Sequence, residues 1–192
     1  MKTAIISPGW NQSSKETRYD FVADAFTAKG YKVIRYDPES GGNTVINWVN
    51  GLKAIIDRTE GEVALWGFSM GAMTSLIVAS ERPISSLLLC SPSGFFKEYL
   101  PLINDKYLVN WKDNQLGVFK SLSFVQTVKK LQSKESYVFA GELELEEWPS
   151  FRKLVDDLQA TNKFDVKVIN ETHHDFSAPN YRRAICAAIS KL

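Results

Sequence analysis

The 192-residue chain is poor in cysteine and histidine, with two of each. Cys90 ends an apolar run, and Cys186 falls in an apolar-periodic stretch near the C-terminus. Both read as small buried residues, and two cysteines do not make a disulfide scaffold. The two histidines, His173 and His174, are adjacent. Neighbours along a chain rarely converge on one ion, and no cysteine or third histidine is available beside them, so no metal is expected. Charge of one sign is also missing: 23 basic against 22 acidic residues leave a net +1, too weak a field to gather nucleic acid. Lys129, Lys130 and Lys134 are too sparse to form a binding stripe. No apolar run approaches the ~18 residues of a membrane span. The first residues, one lysine followed by Thr3-Ala4-Ile5-Ile6 and a Pro8-Gly9 turn, do not read as a secretory leader, so a cytoplasmic location is expected. No G-x-G-x-x-G follows any strand and no P-loop lysine motif occurs, so no dinucleotide or other cofactor is expected.

What the chain does have is a rhythm. Short apolar runs at 3–7, 31–36, 63–66, 87–90, 137–140 and 164–169 read as strands. Helical spacing separates them at 15–28, around Trp48, Leu52, Ile55 and Ile56, at 69–80, at 147–160 and at 181–192. Gly41-Gly42-Asn43 reads as a loop. The strands are continuously apolar, as a parallel sheet covered on both faces requires. The pattern predicts one α/β domain with a mainly parallel six-stranded sheet. One stretch breaks the rhythm. Residues 92–122 carry Phe95, Phe96, Tyr99, Trp111 and Phe119, interrupted by Pro101 and Gly117, and are long for a plain connection. They are expected to form a small cap insertion of one or two short helices over the C-terminal edge of the sheet.

The third strand runs into Gly67-Phe68-Ser69-Met70-Gly71, and a helix rich in small residues follows. A sharp strand-to-helix turn needs small neighbours, and it lifts the serine above the sheet at a helix N-terminus. The plain alternative is a helix-capping serine in a tight turn. With this elbow, the Pro8-Gly9-Trp10 turn, the KGYKVIRYD strand at 29–37, the AGE at 140–142 and the HHDF at 173–176, the chain resembles the alpha/beta-hydrolase family over nearly its whole length. The resemblance is to a compact member lacking the opening antiparallel strands, with Pro8-Gly9 in place of a His-Gly pair at the oxyanion loop.

That resemblance implies a serine hydrolase acting on a small carboxylic ester through an acyl-enzyme, with thioesterase, amidase or peptidase-like activity, or a non-catalytic binding role, as alternatives. It implies Ser69 as nucleophile, His174 as base, and the backbone N–H groups of Trp10 and Met70 as oxyanion donors. The acid is expected three residues past Gly141, at Glu144, with Glu146 as the main substitute and Glu142 behind it. The plain reading of residues 141–147 is a solvated acidic loop leading into a helix. His173 would point elsewhere, and Asp175 would brace the loop. Phe68, Phe95 and Phe96 are candidates for the wall of a pocket for a small-molecule acyl substrate, with core packing as their plain alternative. Trp10 and Met70 could also line it, and Asn11, Gln12, Ser13 and Ser14 could brace the oxyanion loop.

Overall fold

Each apolar run becomes a strand, and all of them join one sheet. The computed structural model describes residues 1–38, 44–108, 111 and 113–192, so the loop expected at 41–43 lies outside the described residues. The first strand, β1 (Lys2–Ser7), leads through a 3-10 turn at Thr17–Tyr19 into α1 (Asp20–Ala28). β2 (Lys32–Arg35) is followed by α2 (Val45–Ile56), and β3 (Glu62–Phe68) by α3 (Met70–Ala79). After β4 (Ile84–Cys90) come a 3-10 turn at Leu100–Leu102 and the short helices α4 (Asp105–Leu108), α5 (Asp113–Ser121) and α6 (Phe124–Lys129). β5 (Ser133–Gly141) runs directly into α7 (Glu142–Glu147) and α8 (Pro149–Ala160). β6 (Asp165–Ile169) and α9 (Pro179–Ile189) complete the described elements.

The strand order is β2-β1-β3-β4-β5-β6, and every pairing is parallel rather than merely most of them. Successive side chains point to opposite faces of a strand. Ile5, Leu65, Leu87, Leu89 and Val138 therefore pack on one face with Trp48, Leu52, Met73, Leu76 and Leu154 from α2, α3 and α8. Ala4, Ile6, Trp66, Leu88 and Phe139 pack on the other with Val22, Phe26, Tyr181 and Ile185 from α1 and α9. Burial on both faces is why these strands read as unbroken apolar runs. Each fully buried leucine contributes about 1.5–3 kcal/mol by leaving water.

The sheet order reverses direction at β1: the chain steps to β2 on one side and crosses to β3 on the other. Ligands bind outside the carboxyl ends of strands at such a switch point. The register pairs Ser7 with Gly67, Phe68 with Cys90, Cys90 with Phe139 and Gly141 with Ile169. The ends of β1, β3, β4, β5 and β6 thus meet at one edge.

Three local expectations are corrected. The first α-helix begins at Asp20, not at residue 15, because the residues before it are used in tethering. Ser13 Oγ donates to Asp37 Oδ2 at 2.8 Å, and the Ser14 N–H donates to Asp37 Oδ1 at 2.5 Å. Residues 142–147 are a helix rather than an acidic loop. Glu144, in its first turn, reaches back to accept the Gly141 N–H at 3.0 Å, as in one half of a capping box. Cys90 is buried as expected, but Cys186 is only partly so, since it sits towards the outer side of α9. Among the described residues no helix is long and apolar enough to cross a membrane.

Candidate active site

Ser69 sits between β3 and α3 with φ 54° and ψ −115°, a backbone conformation that L residues seldom adopt. The turn is forced by its neighbours. A Cβ on Gly67 would collide with the carbonyl of Gly71, and one on Gly71 would collide with the carbonyls of Ser7 and Pro8. Only glycine lets the elbow close against the end of β1. The Ser69 N–H donates to the Cys90 carbonyl at 2.9 Å, and the Ser69 carbonyl accepts from the Ser93 N–H at 3.1 Å. The elbow is therefore pinned to the end of β4 from both sides. Strained backbone held in this way clusters at functional sites, which makes Ser69 a candidate.

Glu144 and His174 form a pair, with Nδ1 2.8 Å from Oε2. The Glu144 side chain is 1% exposed. Its other oxygen, Oε1, accepts from Ser91 Oγ at 2.6 Å and from the Gly141 N–H at 3.0 Å. The imidazole is held between two aromatic rings, Phe68 at 4.6 Å and Trp148 at 5.2 Å between centroids. The remaining acids do not compete. Glu146 is exposed, and Glu142 accepts the Glu171 N–H at 3.0 Å. His173 is exposed as well. Asp175 turns away from the imidazole: it accepts from Ser177 N–H at 2.9 Å and pairs with Arg18 at 3.1 Å, bracing the loop.

Loop 8–12 lies against the elbow. Burial pushes the Tyr19 phenol well above its usual range, so its hydroxyl stays protonated. It accepts the Gly9 N–H at 3.1 Å and donates to Gln12 Oε1. The Gln12 N–H closes the turn on the Gly9 carbonyl at 3.2 Å, and Asn11 takes φ 58°. Gln12 thus braces the loop through Tyr19. Among the described residues, the N–H groups of Trp10 and Met70 have no acceptor. The Met70 amide follows Ser69 directly, and the Trp10 amide lies in the loop whose Gly9 packs against Phe68 of the elbow.

Ser69 and His174 line one pocket of about 590 Å³. Its walls come from Ser91–Phe95, from residues 101–107 and from residues 147–151. Ser69 Oγ is 3.3 Å from Ser93 Oγ, and no hydrogen bond joins it to His174 among the described residues. Of the three phenylalanines expected in the wall, only Phe95 is there. Phe68 lies beneath the imidazole and packs on Phe176 at 4.6 Å, and Phe96 is wholly buried in the core. Met70 is core as well, and the Trp10 ring packs against Trp48 and Trp111 instead of facing the pocket.

The model of the Esterase family, described as "Putative esterase", matches residues 2–179. The chain belongs to the Esterase family. No curated protein matches the sequence. In fold this esterase-family chain is similar to Est1E from Butyrivibrio proteoclasticus, with a TM-score of 0.81 and 17% identity over 99% of this chain and 86% of that one. The same protein with ferulic acid bound gives a TM-score of 0.79 and 17% identity over 100% and 87%. Alpha/beta hydrolase domain-containing protein 10 from mouse gives 0.74 and 17% over 98% and 88%. The architecture is the alpha/beta-hydrolase fold, and family and fold together make this chain a hydrolase.

Sequence reasoning missed four residues that surround the site of this esterase-family chain: Ser91, Ser93, Trp148 and Tyr181. Ser91-Pro92-Ser93 reads as an ordinary turn after a strand, and Tyr181 as one apolar position of a helix. Only their placement against Glu144 and Ser69 sets them apart. Trp148, between the acidic run and Pro149, carries no local signal for contact with His174.

Proposed function

We propose that the chain is a serine hydrolase that cleaves small carboxylic esters through an acyl-enzyme. Ser69 is the nucleophile, His174 the general base and acid, and Glu144 the residue that orients His174. What supports this reading is one conjunction: a buried carboxylate 2.8 Å from an imidazole that shares a pocket with a strained serine at a strand-to-helix elbow. Glu144 accepts a hydrogen bond from the Nδ1–H, which leaves Nε2 free to take the Ser69 proton. The Ser69 oxygen attacks the ester carbonyl, and the N–H groups of Trp10 and Met70 receive the resulting oxyanion. His174 returns the proton to the leaving alcohol as the C–O bond breaks. Water then repeats the sequence and releases the acid, restoring Ser69.

In the resting arrangement Ser69 Oγ lies 3.3 Å from Ser93 Oγ, and its hydrogen bond to the imidazole forms with substrate in place. Catalytic hydrogen bonds are often long in unliganded enzymes and tighten with substrate. Phe95, Leu102, Ile103, Trp148 and Phe151 give the pocket an apolar wall, which suits an uncharged alkyl or aryl acyl group.

The test is covalent labelling. A fluorophosphonate should add once per chain, at Ser69, by intact-mass analysis and peptide mapping. Ser69→Ala and His174→Ala should abolish the adduct. Undiminished labelling of Ser69→Ala, or none of the wild-type protein, would overturn the assignment and favour a binding role.

A further inference from the structure

The buried chain of hydroxyls behind Glu144 has no place in the mechanism above, yet it ends on that residue. The geometry points to Ser91 and Tyr181 as positioning residues that hold Glu144 in register with His174. This inference rests on the proposed catalytic role of Glu144.

Ser91 follows β4 and is 1% exposed, with φ 44°. A serine pays for a left-handed backbone unless something fixes it there. Here the Ser91 N–H donates to the Phe139 carbonyl at 2.8 Å, and the Ser93 N–H, two residues on, donates to the Ser69 carbonyl at 3.1 Å. The segment is therefore clamped between β5 and the nucleophile elbow. The left-handed residue aims the Ser91 hydroxyl at Glu144 Oε1, 2.6 Å away. Behind it stands the Tyr181 hydroxyl, 2.9 Å from Ser91 Oγ and 2.6 Å from the Phe139 carbonyl. Tyr181 is wholly buried in α9.

The direction of these bonds follows from what each group can give. Ser91 O–H donates a hydrogen bond to Glu144 Oε1, so Ser91 Oγ offers only lone pairs to Tyr181. The phenol has one proton, shared between Ser91 Oγ and the Phe139 carbonyl, and burial keeps that proton in place. The phenol thus supports the serine, and the serine supports the carboxylate. A glutamate has one more rotatable bond than an aspartate, and its carboxylate would otherwise be free to swing away from Nδ1. With Oε1 tied to Ser91 and to the Gly141 N–H, the carboxylate plane is set and Oε2 is left for the imidazole.

Ser91→Gly is the informative variant, because glycine takes φ 44° without strain and removes the hydroxymethyl group that reaches Glu144. It should lower kcat/KM for an activated ester by about 10- to 100-fold, the range for a hydrogen bond to a buried charge. The loss should fall on kcat, with KM little changed. Tyr181→Phe keeps the ring and should cost about three- to tenfold. Because Tyr181 acts through Ser91, the double variant should be no worse than Ser91→Gly alone.

Two readouts separate positioning from general damage. In a Glu144→Gln background, Ser91→Gly should cause no further loss. The downfield proton NMR signal of the His174 Nδ1–H should shift or broaden in Ser91→Gly while the thermal midpoint falls by no more than the roughly 10 °C that one lost buried hydrogen bond costs and the protein stays folded at the assay temperature. A Ser91→Gly enzyme as fast as wild type, or an equal loss with and without Glu144, would overturn the inference alone. Absence of fluorophosphonate labelling at Ser69 in the wild-type protein would instead overturn the catalytic reading on which it rests.

Discussion

A buried carboxylate is costly unless it is held, and Glu144 is held three times, by Ser91, the Gly141 N–H and His174. That count distinguishes it from its neighbours, since Glu146 stands in solvent. Glu144→Gln keeps the volume but turns a pure acceptor into a group that can present an NH₂ to Nδ1. It should reduce kcat/KM for an activated ester by roughly 10- to 10³-fold. Glu146→Gln should stay near wild type in a parallel assay. A crippled Glu146→Gln beside a normal Glu144→Gln would move the acid by two residues. In sequence, Glu144 was reachable only through the family's spacing from Gly141. Four glutamates within six residues look alike as letters, and only tertiary contact sorts them. Ser91 was not reachable at all, because a left-handed serine is spelled like any other.

At the scale of elements, the strands were legible and the short helices were not. A strand buried on both faces must be apolar throughout, so its composition announces it. The single-turn helix α7 depends on Glu144 reaching back to the Gly141 amide, and that contact depends in turn on β4 and His174 being in place. Helix α6 is similar. Its own Ser123 cap, which accepts the Gln126 N–H at 3.3 Å, is held from outside: Ser123 Oγ donates to Glu98 Oε1 at 2.6 Å, and the Phe124 N–H donates to Glu98 Oε2 at 2.9 Å. Burial pushes the Glu98 carboxyl up, but these hydrogen bonds outweigh it and hold the group below its usual value. A carboxylate lowered on folding contributes its stability above the unfolded value of ~4.3 and loses it as pH falls through the lowered folded value. Glu98→Gln should therefore cost about 1 kcal/mol at pH 7, the usual worth of a helix N-terminal cap. Urea melts should show that gap closing below about pH 4. A gap that persists unchanged at low pH would mean that the charge is not what holds α6.

At the scale of the molecule, the sheet order fixes where chemistry can occur. The reversal at β1 marks the edge where ligands bind in such sheets, and the elbow, loop 8–12, Glu144 and His174 all follow strand ends at that edge. The shared edge followed from the strand-helix rhythm and the elbow, and the choice of Glu144 and His174 from the family resemblance. The shape of the pocket did not. Its outer wall is built by the 3-10 turn Leu100–Leu102 and α4 facing residues 147–151, and which aromatics turn inward is decided by packing: Phe95 stacks on Phe119 at 4.7 Å and still lines the cavity, while its neighbour Phe96 enters the core. Leu102 offers a way to measure how much of this space the acyl group uses. It lines the pocket yet is 44% exposed, so enlarging it threatens the cavity and not the core. Leu102→Trp should leave fluorophosphonate labelling and acetate-ester hydrolysis within about twofold of wild type, because neither probe extends far from Ser69. It should lower kcat/KM for a p-nitrophenyl octanoate by about tenfold or more, the scale on which a hydrophobic pocket discriminates chain length. If octanoate is untouched while acetate falls, the acyl chain does not run toward Leu102, and the wall formed by residues 101–107 faces the leaving group instead.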